Sequence, residues 1–441
     1  MVASTRETVQ AINRRPEASY RMSQPDRSTA ALRLGVSSGA FYPEVATEDV
    51  PALAAELGLT DVEIMLQTAG EYGGAIVQRI RANARASGCR IHSVHVWTDF
   101  HQLLSPYRRR VEEDQALFRH AIAAAAELEA GLIVWHGPRT AEVTQPRRWD
   151  RFAASVVELG AACGEAGVTL TLENVSRSAI RGAREAAMLA THLADAGPKV
   201  RVGFTFDPFQ AAEAGANPFM VLAAMGNRVA NVHLSDYRED DPGSRHLPPG
   251  EGDMPWPALL RAIAAVYQGP LMLECALGAD RLATLDRIRT VLDPLLAPLE
   301  HGHDPCAGTP PPGVLSGIAL FNERQFYECH EDIEHEWHAE RGEIRLLYQG
   351  ILQIGVGFHH ALGGNHRGAI LLLQDGITKV SRFAPACLDI DTARLVRESQ
   401  ACLDVIRELG PGRIAGFDPA TIPMIHQADD HAAAPGGNAV S

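Results

Sequence analysis

Six residues of kinds that bind cations or carry protons each close a short apolar run: His95, His136, Glu173, Asp207, His233 and Glu274. The runs they close read RIHSVHVW, GLIVWHG, VTLTLEN, VRVGFTFDP, VANVHLSD and PLMLECA. Carboxylates and imidazoles are costly to bury unless they are paired or bound to a cation. Any one of them has an ordinary explanation, a carboxylate capped by backbone amides or a core histidine donating to a carbonyl. A succession of them, one per run, predicts a site. Glu173, Asp207, His233 and Glu274 offer three carboxylates and one imidazole. That donor set suits Mn²⁺, Mg²⁺, Co²⁺ or Zn²⁺ better than a thiolate-seeking metal. His95 and His136, beside Glu173, fit either a second metal or contacts to a substrate.

Two earlier runs, at 32–38 and 62–66, bring the total to eight. Helical periodicity fills the intervals, at 46–58, 76–88, 109–131, 149–167, 181–197, 218–226, 255–267 and 281–296. Gly88, Gly131, Gly167 and Gly197 stand where a helix ends in a left-handed residue,. The runs are continuously apolar and do not alternate, as in a parallel sheet buried on both faces. Eight strand–helix units predict an α/β fold, a (β/α)8 TIM barrel, whose chemistry sits at the C-terminal strand ends. The loaded residues fall on that rim.

The chain has 441 residues, too many for one ordinary domain,. A formal charge of −14 weighs against a protein that tracks along nucleic acid,. No apolar run is long enough to span a bilayer. Residues 1–30 are polar and are expected to be a disordered leader. Seven cysteines, an odd number with no CxxC pair, predict reduced thiols and a cytoplasmic protein,. Lysine occurs only at Lys199 and Lys379. Lys199 precedes the sixth run, at the wrong end of its strand, and Lys379 lies outside the barrel. Schiff-base chemistry is thereby excluded.

From residue 32 to about 296 the chain resembles the xylose isomerase-like barrels. That superfamily includes sugar and sugar-phosphate isomerases and epimerases and the endonuclease IV group (AP endonuclease family 2). The resemblance rests on TLEN with Glu173, FTFDP with Asp207, NVHLSD with His233, RHLPPGEGDMPW at 245–256 and LMLE with Glu274. It implies that Glu173, Asp207, His233 and Glu274 hold one divalent metal. In the nuclease branch, the counterparts of His95 and His136 join the fifth-strand glutamate at a second metal. His246 there matches a ligand of a third. The chain departs from that branch at Gln210 and at Ser244, where the nucleases carry histidine and aspartate, which leaves His246 as the one evident ligand of a third metal.

A metal-bound hydroxy-ketone has a polarised carbonyl and an acidified neighbouring C–H. Carboxylates on its two faces can then remove and return the proton. Glu173 and Glu274, closing the fifth and eighth runs, are the expected catalytic pair, and the resemblance gives the epimerases' equivalents that role. Arg245 and Gln210 stand as candidate substrate contacts, while Arg108, Arg109 and Arg110 read as a solvated helix start. An isomerase or epimerase of a sugar, sugar phosphate or other small polyhydroxy substrate therefore ranks first. A two-metal phosphoester hydrolase ranks second, and a non-catalytic ligand-binding protein last. Association of like chains is left open.

Residues 298–317, rich in Pro and Gly, read as a linker, 318–425 as a four-helix unit and 426–441 as a disordered tail,. Within the unit, His330, Glu331 and Glu334 spell HExxE, and Arg345, Gln349 and Gln353 repeat at helical spacing. Their spacing predicts one polar cluster with Arg345 as its central link, in preference to a further metal. The same motifs resemble DUF309, a family of small helical domains without a settled activity.

Overall fold

Eight strands form where the continuous apolar runs predict them: β1 (Arg33–Ser37), β2 (Asp61–Met65), β3 (Arg90–His95), β4 (Leu132–Trp135), β5 (Thr169–Glu173), β6 (Val202–Phe206), β7 (Val229–Leu234) and β8 (Pro270–Leu273). In the computed structural model they pair in parallel in chain order, and β1 closes on β8 with Arg33 opposite Pro270 and Val36 opposite Leu273. The structure describes residues 32–96, 102–241, 243–300, 305–340 and 342–428. The leader expected at 1–30 lies outside them.

Charge closes the N-terminal rim of the barrel. Asp61 on β2 accepts from the guanidinium groups of Arg33 on β1, at 2.6 Å, and Arg90 on β3, at 2.7 Å. Burial pushes the Asp61 carboxyl upward, but the two arginines outweigh it and hold it below its ordinary value. On the outside, helix Pro146–Glu165 lies almost on the chain entering β6. A Cβ on Gly164 would stand 2.1 Å from the Lys199 carbonyl oxygen, and one on Gly160 would stand 2.3 Å from Val202. Only glycine permits that approach.

The helix ends differ from expectation in two places. Gly88 and Gly167 do adopt left-handed conformations, with φ of +73° and +77°. Helix Arg108–Glu127 ends before Gly131, and Glu129 takes the left-handed turn at φ +60°. Gly197 stands beyond helix Ala183–Ala194 and outside the left-handed region. A further short helix, Pro208–Glu213, with no helical periodicity of its own to mark it, begins directly at the end of β6.

A second apolar core, separate from that of the barrel, gathers residues between Cys306 and Ile425. Among the described residues five helices surround it where four are expected: Pro312–Asn322, Phe326–Ala339, Ile344–Leu362, His366–Ser381 and Thr392–Leu409. The first starts inside the stretch read as linker and buries Val314 and Phe321. The first two are separated by a break at Arg324, with φ +66°, whose guanidinium donates to the carbonyls of Ile422 and Pro423 at 2.6 and 2.8 Å. Nor do residues 426–428 hang free: His426 accepts from the Asp391 amide at 2.9 Å and Ala428 donates to Asp389 at 3.0 Å. The expectation of seven reduced thiols is corrected as well. Cys306 and Cys387, 81 positions apart, form a disulfide beside the amide of Leu388, which donates to Cys306 at 2.8 Å. Pairing over that distance in sequence leaves no spacing signature.

The two units touch. Met220 of the barrel helix Pro218–Met225 packs on the second core, and Asn217 donates to Ser381 at 3.0 Å. Arg261 pairs with Glu343 at 2.7 Å and lies over the ring of Phe383. Among the described residues no helix is long and apolar enough to cross a membrane.

Candidate metal centre

The strands deliver their terminal residues to one place. Glu173, Asp207, His233 and Glu274 bring four potential ligand atoms within 4.8 Å of one another, and His95, His136 and Glu173 form a second such set. Glu173 belongs to both. All but His136 and Glu274 are almost wholly buried, and those two form the open side, each with 16 % of its side chain exposed.

The second set is the tighter. His95 Nδ1 lies 3.0 Å from the Val96 carbonyl, which can only accept, so that nitrogen carries the proton. Nε2 is thereby left to face Glu173 Oε2 at 3.1 Å and His136 Nε2 at 3.1 Å. His136 Nε2 and Glu173 Oε2 are also 3.1 Å apart. Three donors so spaced fit a single ion held at about 2.0–2.2 Å from each.

In the first set, His233 Nδ1 lies between two carboxylates, 3.3 Å from Glu173 Oε1 and 2.9 Å from Glu274 Oε2. Asp207 completes it. Asn174 fixes the Asp207 backbone by accepting from its N–H at 2.9 Å and donating to its carbonyl at 2.6 Å. Asp207 Oδ1 accepts from the Gln210 amide at 2.9 Å, capping the short helix that Pro208 opens. Its other oxygen, Oδ2, is buried without a hydrogen-bond partner. A buried orphan oxygen beside two carboxylates and an imidazole is what a cation would satisfy. Burial, then Glu173 and Glu274, push the Asp207 carboxyl well above its ordinary range. Burial also acts upward on Glu173, yet His233 and His136 hold it well below. The donor set fits a divalent ion.

Other predicted residues fall around this centre in different states. His246, in a left-handed turn at φ +49°, shares its Nδ1 between Ser235 Oγ at 3.3 Å and the Glu274 carbonyl at 3.2 Å, with its ring edge on Phe209. Gln210, expected to meet substrate, instead turns its Oε1 to the Ser176 amide at 3.0 Å. Arg245 is tied to Glu213 at 2.6 Å and covers Phe209, though about half of its side chain remains exposed. Arg108 pairs with Glu112 at the solvated start of its helix.

Two residues beneath the rim were missed. Asp236 accepts from Tyr237 N, Gly250 N, Met254 N and Trp256 Nε1, all at 2.9–3.0 Å, and so folds the 245–256 motif over the mouth. Glu63, inside β2, is fully buried and accepts from Ser93 Oγ at 2.7 Å and Asn231 Nδ2 at 3.0 Å. A glutamate flanked by apolar residues in VEIML was the available signal.

In the helical unit the expected cluster is divided. His330 lies 3.9 Å from Glu334, Arg345 stacks on the Trp337 ring at 4.6 Å, and Gln353 turns to Asp375. Among the described residues no ion pair joins Arg345 to Glu331 or Glu334, and Gln349 lies half-buried on the same helix as Arg345. The arginine finds an aromatic face on the neighbouring helix and spreads its charge there.

With this geometry in place, comparison with known proteins is direct. The family model described as a xylose isomerase-like TIM barrel matches residues 51–291, and the chain belongs to that family. Residues 314–372 match a domain of unknown function, DUF309. Similar solved structures include a D-tagatose 3-epimerase-like protein, with 20% identity and TM-score 0.51 over 62% of this chain and 100% of that one. An L-ribulose 3-epimerase shows 16% identity and TM-score 0.52, covering 64% and 100%. A xylose isomerase domain protein from Planctomyces limnophilus shows 19% identity and TM-score 0.48, covering 62% and 98%. These likenesses are of fold. Among curated proteins none matches.

Proposed function

We propose that the barrel is a divalent-metal-dependent isomerase or epimerase of a sugar, sugar phosphate or related polyhydroxy carbonyl compound. The observation that carries this reading is the pair of carboxylates meeting His233 Nδ1 from two sides, Glu173 at 3.3 Å and Glu274 at 2.9 Å. A divalent ion among these donors supplies polarisation of a bound carbonyl and acidifies the adjacent C–H. Glu274, on the open side, is placed to take that proton from one face of the substrate. Glu173, shielded beneath, is placed to return it on the other. His136, donating from Nε2, then orients Glu173 Oε2, and the bare Nε2 of His95 is left to accept from a donor such as a substrate hydroxyl.

The test is solvent exchange. Incubated in D₂O with Mn²⁺, Mg²⁺ or Co²⁺, the protein should wash deuterium into the carbon next to the carbonyl of at least one ketose or ketose phosphate. Glu173→Gln and Glu274→Gln should each abolish this. Failure of the metal-loaded protein across a broad panel would count against the reading.

A second reading is favoured by the 3.1 Å triangle of His95, His136 and Glu173. If that triangle holds an ion too, both oxygens of Glu173 are engaged and it can no longer return a proton. A two-metal phosphoester hydrolase then follows. Two tightly held equivalents of metal together with cleavage of bis(p-nitrophenyl) phosphate would select it.

A further inference from the structure

The face of His233 turned away from the candidate metal position has its own structure. Glu63 reaches it from β2, three strands from β7 round the closed barrel. Its Oε2 lies 3.1 Å from His233 Nε2 and also accepts from Ser93 on β3 and Asn231 on β7. Neither Glu63 nor His233 has any exposed side-chain surface. This buried contact is unusual in one respect. Glu63 Oε1 and Asn231 Oδ1 are both buried with no hydrogen-bond partner. A buried acceptor left without a donor is destabilising, so the arrangement is not one that stability alone would select. An apolar side chain at position 63 would avoid that penalty.

The geometry points to Glu63 as a positioning residue for the metal centre. Its carboxylate, which can only accept and at 3.1 Å lies nearer to Nε2 than the Asn231 amide nitrogen at 3.2 Å, fixes the proton of His233 on Nε2, so that the Nδ1 lone pair faces Glu173, Asp207 and Glu274. This inference rests on the metal reading of the first ligand set. An imidazole has two nitrogens and can rotate or exchange its proton between them. A ligand histidine is useful only if the outward nitrogen is bare, and a carboxylate behind the ring enforces that and makes the nitrogen more basic. The surrounding donors leave Glu63 little freedom. Ser93 and Asn231 hold the same oxygen from two further strands, which locks the carboxylate in place and, through it, the ring.

The test is metal affinity, measured on the full-length protein with Co²⁺ and Mn²⁺ by competition against a chromophoric chelator. Removing such a partner typically weakens binding about 10–100-fold. Glu63→Met keeps the volume but accepts no hydrogen bond, and should sit near the upper end of that range. Glu63→Gln retains an acceptor without the charge and should sit near the lower end. Ser93→Ala removes one of the two donors that hold Glu63 while Asn231 remains, and should weaken binding less than Glu63→Gln does. The visible absorption of bound Co²⁺ reports ligand geometry, and it should change more in Glu63→Met than in Ser93→Ala. Metal-free melting temperatures at or above wild type would show that the variants fold. If the wild-type protein binds no divalent ion, the metal reading itself fails, and the positioning role with it. If wild type binds while Glu63→Met and Glu63→Gln bind equally well with an unchanged Co²⁺ spectrum, the positioning role alone is overturned. Should Glu63→Met not fold, Glu63→Gln decides the matter by the same measurements.

Discussion

Asp207→Asn should make the metal-free protein more stable and the metal-loaded protein less so. In the structure the Asp207 carboxylate is fully buried, one oxygen is held by the Gln210 amide, and the other has no donor. Asparagine keeps Oδ1 for that amide and places an N–H₂ where the orphan oxygen stood, facing the carboxylates of Glu173 and Glu274. Relieving one buried unsatisfied acceptor is worth about 1–3 kcal/mol, more when it is charged. For a domain of this size each kcal/mol moves Tm by about 2–4 °C. The barrel's melting transition in EDTA should therefore rise by roughly 2–12 °C at neutral pH. The pH dependence has a definite sign. Burial, then Glu173 and Glu274, raise the folded carboxyl well above its ordinary value. A raised acid destabilises fully above its folded pKa, and the penalty fades as pH falls through that value toward the unfolded one, about 3.9. The advantage of Asn over Asp should shrink over that same window. Added Mn²⁺ should raise the Tm of wild type but not of the variant. Scanning calorimetry of both proteins with and without metal, at several pH values, provides the assay. A metal-free variant that melts below wild type would refute the orphan-oxygen argument, and a variant that keeps the full metal-induced rise would remove Asp207 from the ligand set.

Three further outcomes follow from other parts of the barrel. Asp61→Asn should lower stability by about 1–2 kcal/mol, discounted because Arg33 and Arg90 are partly exposed,; its carboxyl is held below the ordinary value, so the loss should appear in urea melts above pH about 4 and vanish as pH falls through the folded pKa,. Gly164→Ala sets a methyl 2.1 Å from the Lys199 carbonyl, so β6 or its neighbouring helix must shift, at about 1–3 kcal/mol in denaturant unfolding; an unchanged midpoint would show that the helix can slide freely,. Asp236→Ala strips the acceptor from four donors and should open residues 237–256 to limited proteolysis while the rest of the barrel resists,; equal resistance of both proteins would mean that the motif is held by other contacts.

What could be read from the sequence was whatever the barrel imposes locally. A strand buried on both faces must be apolar throughout, so His95, His136, Glu173, Asp207, His233 and Glu274 stand out where such runs stop, and their meeting at one rim follows from parallel closure. Glu63 did not stand out because it sits in mid-strand, and its partners Ser93, Asn231 and His233 come from three other positions in the chain. Helix ends are similarly ambiguous. Glu129 takes the left-handed turn that Gly131 seemed suited for, because the chain must already have turned before β4 begins. In the helical unit, spacing showed which residues share a helix face but not what that face meets. Arg345 met Trp337, and Gln353 met Asp375.

One carboxylate, Glu173, serves both ligand sets, Oε2 toward His95 and His136 and Oε1 toward His233. In terms of charge, the four residues of the first set bring three negative charges, while the second adds two imidazoles and no charge that the first has not already used. A first dication would therefore meet a surplus of negative charge. A second would meet a shared anion already neutralised and a like charge nearby. The two affinities must then be widely separated, with the second ion held more weakly than its own triangle of donors would suggest. If both sets bind, occupancy becomes a function of supply: one ion when divalent metal is scarce and two when it is plentiful. A laboratory stoichiometry then has meaning only beside the free metal concentration at which it was taken.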